Sequence, residues 1–455
     1  MDAWILLCRR TCLLIFSLLL FACAPDDPGG EPPADFCTEH PCDARCADLT
    51  FRCSDACADP DDLPEECIVP ACDRLCDPCD ASCDACHDTC SEHYAGPPIP
   101  PARCDATSMA SEAHPHRWEI SFETTAQDPS WVLSIWSDAQ EQLVGVEWML
   151  PSGRRLDLDR WAGVNAHQQN ISPALMTLLT PMAPQHADLL EPGVHRITVD
   201  LEGGGQPCWQ WTPQHPVQDA LPYRLRLRLV AVGTSFVDAA QMRSDPLLRK
   251  ALEYAQDQFA AAGIALYVKE WAVAEASVRD AYRELSNPQQ ARELLAMLPA
   301  IERTHPVDVL QVDVAVIDRF TLASMLSGLV GSLPGPAALH GQESAGVVIS
   351  SSLLPHHRGD EQVGMILTHE LGHYLGLRHT SSWPGFGPDL LADTPECPKA
   401  VYDQNSYDCP DAYNVMFPLL SMREGHWWSE MQKAVMRAHP AVTQRTPTPA
   451  GSASP

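Results

Sequence analysis

His369, Glu370, His373, Gly376 and His379 fall within one eleven-residue stretch in the order HExxHxxGxxH. On a helix, residues four apart share a face and sit about 6 Å apart along the axis, so His369 and His373 can grip one cation from the same side. Glu370 lies one residue further round, beside the position the cation leaves open, where a carboxylate can accept and return a proton. Gly376 can take the left-handed conformation that ends a helix, and the reversing chain then brings His379 in as a third nitrogen ligand. Three protein ligands and a fourth position for water are the arrangement of a zinc peptidase. As mere filling the residues make little sense: two histidines and a glutamate between Leu367, Leu371 and Leu375 suit an apolar helix face poorly unless metal and solvent access compensate them.

Downstream, Asn414-Val415-Met416 stands where a methionine could turn beneath such a metal, and Asp389-Leu390-Leu391-Ala392-Asp393-Thr394-Pro395 lies between the third histidine and that turn, followed by Cys397 and Cys409. With these segments the chain resembles the metzincin metallopeptidases, and among them the pappalysin family. The resemblance is sharpest from Glu361 to Pro418 and extends architecturally over 221–440. It implies an α+β catalytic domain with a twisted mixed sheet, a zinc helix and a Met-turn at Met416. It also implies zinc held by His369, His373 and His379, with Glu370 as general base, and hydrolysis of protein or peptide substrates. Asp393 is expected to order the loop below the metal, to form an Asx-turn or to help bind calcium. The family places a tyrosine two residues after the turn methionine, but this chain has Pro418 there, leaving Tyr413 and Tyr407 as hydroxyls from elsewhere. The competing reading is a non-catalytic cell-surface binding protein on a degenerate peptidase scaffold.

The elements that must position these residues belong to a multidomain chain. The 455 residues include 19 cysteines, far more than a reducing cytosol favours, which points to export. A formal charge of −30 argues against nucleic-acid partners, because a polyanion is repelled. Arg9-Arg10 before the apolar run from Thr11 to Phe21, ending at Ala22-Cys23, reads as a bacterial lipoprotein signal over 1–23, with Cys23 as the lipidated residue and membrane attachment as the consequence. On the rule for the residue after that cysteine, Ala24 favours the outer membrane or cell surface; simple secretion is the alternative. A Pro-, Asp- and Gly-rich tether fills 24–36.

A cysteine-rich module is expected over 37–104, where twelve cysteines lie between Cys37 and Cys90. From Cys72 to Cys90 their spacings alternate four and three, which would line six sulfurs along one helical stripe. Disulfide pairing within the module is the expectation, and a thiolate metal cluster the alternative. Removing Cys8, Cys12 and Cys23 from the 19 leaves 16, an even number, which allows Cys104 to pair with Cys208 and Cys397 with Cys409.

Short strand-like runs between turn residues over 105–216 predict an all-β sandwich-like domain, with Trp209 and Trp211 more naturally core than carbohydrate platform. The catalytic domain then opens with Tyr223 to Leu229, a strict Arg/Leu alternation read as a half-buried strand with a solvated arginine face. Asp245-Pro246 caps a helix whose Leu248, Ala251, Leu252, Ala255 and Phe259 form one stripe, stopped by Gly263. Strands follow at Ile264–Val268, Val307–Ile317 and Gly346–Ser350; Gly346–Ile349 is expected to be the sheet edge that an extended substrate could augment. A closing helix over Trp427–Ala438 and a Pro/Ser/Thr-rich tail over 441–455 complete the reading.

Overall fold

The computed structural model describes residues 100–137, 139, 141–157, 174–181, 183–214, 223–233, 235–301, 310–321, 326–381, 389–419 and 425–443. The segments read as a lipoprotein signal with Cys23, a tether, a cysteine-rich module up to residue 99 and a tail beyond Thr443 lie outside the described residues.

Eight strands form the first layer pair. They are β1 (Thr107–Ser108), β2 (Arg117–Thr124), β3 (Trp131–Ser137), β4 (Leu143–Met149), β5 (Arg155–Asp157), β6 (Leu175–Thr180), β7 (Gly193–Leu201) and β8 (Pro207–Pro213). They pair antiparallel in a five-stranded sheet, β1-β2-β7-β4-β5, and a three-stranded sheet, β6-β3-β8. Alternate residues of both sheets meet in one core: Ile120, Phe122, Trp148, Ile197 and Val199 from the larger sheet, and Trp131, Leu133, Ile135, Met176, Leu178 and Trp209 from the smaller. Trp209 is therefore core, as read from the sequence, and the Cys104–Cys208 bridge ties the strand of residue 208 to the start of the sandwich. Both faces of β3 and β6 are buried along their whole length, which a free-standing sandwich does not require.

The remainder is a mixed α/β unit. Its strands are β9 (Tyr223–Ala231), β10 (Ile264–Val273), β11 (Glu284–Leu285), β12 (Val312–Ile317), β13 (Arg319–Phe320), β14 (Gly328–Val330), β15 (Val347–Ser350) and β16 (Val442–Thr443). Its helices are α1 (Ala239–Ser244), α2 (Pro246–Ala261), α3 (Ala276–Tyr282), α4 (Pro288–Met297), α5 (Gly359–Tyr374), α6 (Lys399–Gln404) and α7 (Glu430–Ala438). The main sheet runs β10-β9-β12-β15-β14, with β16 pairing beside the start of β9 and β11 pairing β13 separately. β10, β9, β12 and β15 are mutually parallel, and β14 is antiparallel to β15. α2 behaves as its sequence dictates: Asp245 caps it through the amides of Leu247 and Leu248, and its buried residues are the five of the predicted stripe.

Three expectations are corrected here. The arginine face of β9 is not solvated. Leu225, Leu227 and Leu229 pack under α2 and α5, while the opposite face is closed by α4 and the turn after it, as is usual for a central parallel strand. Arg228 is fully buried, 3.2 Å from Glu270 and 3.7 Å from Asp313, and donates to the carbonyls of Leu298 and Ile301. The sheet edge is β14 rather than Gly346–Ile349: β15 lies between β12 and β14, because Gly328–Val330 folds back as an additional antiparallel strand. Finally, Val442 and Thr443, expected to open the tail, form β16 against Leu225 and Arg224.

Candidate metal centre

α5 carries His369, Glu370 and His373 and ends as the sequence predicts. Gly376, at φ 101°, occupies the left-handed position after the cap. The amide of Gly376 donates to the His373 carbonyl and that of Leu377 to the Gly372 carbonyl, the paired bonds of a Schellman ending. The reversed chain brings His379 back over the helix. Its Nε2 lies 3.2 Å from Nε2 of His369 and 3.1 Å from Nε2 of His373, and the three ligand nitrogens all lie within 4.8 Å of one another.

Those separations test the fit to a metal. Nitrogens each about 2.0–2.1 Å from a tetrahedral zinc are about 3.3–3.4 Å apart, close to what the chain presents. Tautomer supports the same reading. Nδ1 of His369 donates to the Val415 carbonyl at 2.7 Å and Nδ1 of His373 to the Leu377 carbonyl at 2.7 Å, so both Nε2 lone pairs are directed at the shared point. Burial also keeps the rings neutral, lowering His369 to about 4 and His379 to about 3, and burial followed by the charges of its two histidine neighbours holds His373 well below its ordinary value. Three neutral imidazoles suit a borderline-soft divalent cation such as zinc.

Glu370, next to His369 on α5, is partly buried, and burial alone pushes its carboxyl up to about 8. A divalent cation nearby acts in the opposite direction. The Glu370 side chain lies against the backbone of β14: a Cβ on Gly328 would stand 2.5 Å from its Cγ and 2.6 Å from Oε1.

Below the histidines, Asn414 to Phe417 form a tight turn closed by the Phe417 amide on the Asn414 carbonyl. Met416 is fully buried, and its sulfur leaves no room for a side chain on Gly372 of α5, where a Cβ would come within 2.5 Å. Asn414 fixes this floor: its Oδ1 accepts from the Met416 amide and from Gln432 Nε2, and its Nδ2 donates to Gln432 Oε1. Gln432 belongs to a capping box with Ser429 at the start of α7, so the turn is anchored to that helix. The Val415 carbonyl that orients His369 thus sits on a fixed support.

The segment after His379 is held to the same floor. Thr380 donates its amide to the Met416 carbonyl, and Thr380 and Ser381 hydroxyls both donate to the buried Asp411 carboxylate. The Cys397–Cys409 bridge closes beside them, with the Cys397 amide donating to Ser381 Oγ. Of the roles expected of Asp393 the bonds show the ordering one: Oδ1 accepts from Ser429 and Oδ2 from the Met431 amide, so it ties its loop to the first turn of α7. Asp389 instead takes the Asx role, accepting from the Leu391 amide and Thr394 hydroxyl. Pro418 is half-buried beyond the turn, Tyr413 packs beside the disulfide and Tyr407 is 48% exposed. Gly328, Asp411 and Gln432 were not singled out in the sequence, since each acts through a contact between segments remote in the chain.

No family model and no curated protein matches the chain. Among solved structures, metalloproteinase-II from Bacteroides fragilis aligns at 9% identity and a TM-score of 0.28, over 52% of this chain and 64% of that one. Myroilysin aligns at 13% identity and 0.20, over 47% and 90%. Xylanase10C from Cellvibrio japonicus aligns at 10% and 0.15, over 44% and 38%. The chain thus spans just under two thirds of the Bacteroides protein. Likenesses this slight carry no argument, and the chemistry rests on the residues themselves.

Proposed function

We propose that the chain is a zinc-dependent endopeptidase that hydrolyses peptide bonds of proteins outside the cytoplasm. The observation that carries this is the convergence of three Nε2 atoms, 3.1–3.2 Å from His379 to each partner, with Nδ1 of His369 and His373 committed to backbone carbonyls. His369, His373 and His379 would hold zinc, which when bound supplies Lewis acidity and brings the pKa of water toward about 7.

The chain's own groups supply the rest. Glu370 takes a proton from the attacking water and delivers it to the leaving amine; a cation held by the histidines would offset the burial that raises this carboxyl, leaving it able to accept the proton. β14 is the outermost strand of the sheet and runs beside Glu370, so an extended peptide pairing with it would pass its backbone over the carboxylate. Met416, Asn414 and Gln432 keep the floor rigid, and rigid support is what keeps reacting groups within a few tenths of an ångström of their working positions.

Incubating the full chain with a mixed peptide library tests this. Cleavage should disappear when the metal is chelated and return with one equivalent of zinc. Zinc-loaded protein that cuts nothing across a broad library would favour the alternative, a binding protein on a peptidase scaffold.

For location we propose export with a lipid anchor on Cys23, supported by the signal-like run before it and by the cysteine content. Labelled fatty acid should enter the wild-type chain and not Cys23→Ser; unmodified wild-type protein found wholly in soluble fractions would favour secretion.

A further inference from the structure

The sandwich does not merely precede the α/β unit. β6 is two-faced. Met176 and Leu178 enter the core between the two sandwich sheets, whereas Leu175, Thr177 and Leu179 turn the other way. Leu175 clusters with Leu339 of the α/β unit, Thr177 donates to Ser332 at 3.0 Å, and Leu179 joins the core that holds α2, α5 and Met416. β3 does the same in register: Val132, opposite Leu179, joins that core, and Trp136, opposite Leu175, joins Leu339. This explains why β3 and β6 are buried on both faces.

The contact ends at the metal centre. Leu179 Cδ2 fills the place a side chain on Gly376 would take, 2.7 Å from where its Cβ would be, with Val435 and Pro334 completing the cradle. Gly376 is the residue whose left-handed backbone turns the chain toward His379. The loop after β14 is clamped by the same elements. Ser332 receives the Thr177 bond and donates to the Pro334 carbonyl, the Gly335 amide donates to the Tyr374 carbonyl at the end of α5, and His439 donates to the Gly335 carbonyl. Farther along, Gln214 donates to the Arg437 and Val442 carbonyls, and Ser130 Oγ lies 2.5 Å from the Ala438 carbonyl.

We infer that Leu179 of the sandwich is a positioning residue for the metal centre, setting the turn at Gly376 and through it the place of His379. The inference rests on the zinc reading proposed above. It makes the sandwich part of the working enzyme, and residues 221–440 alone an incomplete unit. The physical reason is close packing: the Schellman bonds form the turn, and Leu179 fills the space over Gly376, so that removing it leaves a void into which the reversed chain can shift.

The test uses the full chain and a pair of neighbours with opposite facing. Leu179→Ala should weaken zinc binding by at least about tenfold, as loss of groups supporting a metal ligand does. It should also change the visible spectrum of the Co2+-substituted protein, which reports ligand geometry rather than overall stability, and lower kcat more than it raises KM. Leu178→Ala, which opens a comparable cavity inside the sandwich core, should lower Tm while leaving zinc affinity within about twofold and the Co2+ spectrum unchanged. Leu179→Met, conserving volume, should restore both and also serves if the alanine variant does not fold. The inference is overturned if Leu179→Ala matches Leu178→Ala, losing Tm but keeping zinc affinity and spectrum, or if Leu179→Met is as impaired as Leu179→Ala. Wild-type chain that takes up no metal would overturn the zinc reading and this inference together.

Discussion

Gly328 lies so close to Glu370 that any side chain on it would stand 2.5 Å from the glutamate's Cγ. The edge strand β14 and the Glu370 carboxylate thus meet across a gap only a glycine leaves open. Gly328→Ala should displace Glu370 or β14 by a few tenths of an ångström or more and lower kcat by about tenfold to a hundredfold, since misplacement on that scale degrades a reacting geometry. Zinc content should be unchanged, because no ligand is touched. Steady-state kinetics and metal analysis on one preparation check this; full activity in the alanine variant would show that the contact does not constrain the base.

Asn414 and Gln432 exchange two hydrogen bonds in a fully enclosed place beneath the histidines. Asn414→Ala leaves the Gln432 amide buried without those partners and frees the Met416 amide, so the chain should lose about 2 kcal/mol or more of stability. Urea denaturation measures the loss. A change below about 0.5 kcal/mol would mean that the floor relaxes to satisfy those groups in another way.

The Cys397–Cys409 bridge braces the segment joining His379 to Met416 and lies one hydrogen bond from Ser381. Closing a loop of this length is worth about 3 kcal/mol in chain-entropy models. The double variant Cys397→Ser/Cys409→Ser should therefore unfold more readily and bind zinc more weakly than wild type in competition with a chelator. Equal affinity would place the bridge outside the metal's support.

His439 supplies a pH signature. Burial lowers its pKa from 6.5 to about 4, against the opposing effect of its bond to the Gly335 carbonyl. The folded chain holds it neutral while the unfolded chain takes up a proton near 6.5, so stability is intact above that pH, falls on going down to about 4 and is flat below. The full effect is about 3 kcal/mol. The pH dependence of unfolding free energy should be shallower by that amount in His439→Gln, and the buried ligand histidines cancel in the comparison. Parallel curves for the two proteins would contradict the assignment.

The local features of the site were legible in the sequence because each is encoded in a short spacing. The i, i+4 histidines share a helix face, Gly376 ends that helix, Asp245-Pro246 starts α2, and Asn414 and Met416 fall within three residues. What escaped depends on partners distant in the chain. Alternation in β9 correctly separated its leucines from its arginines but could not tell that Glu270, Asp313 and the Leu298 and Ile301 carbonyls would enclose Arg228. β14 is three residues long with a glycine at its start, too short for a periodicity, so the sequence points to its neighbour as the edge. Asp393 shows the same limit, since its helix-capping role depends on Ser429 and Met431, more than thirty residues on.

The most direct test of the account compares Glu370→Gln and His373→Ala with wild type in the full chain, measuring bound zinc and peptide turnover on each preparation. Glu370→Gln keeps every ligand and removes only the proton carrier, so it should hold one zinc ion and lose nearly all turnover, about a hundredfold or more. His373→Ala should lose metal and activity together. A Glu370→Gln chain that cuts as fast as wild type would contradict the mechanism assigned to these residues.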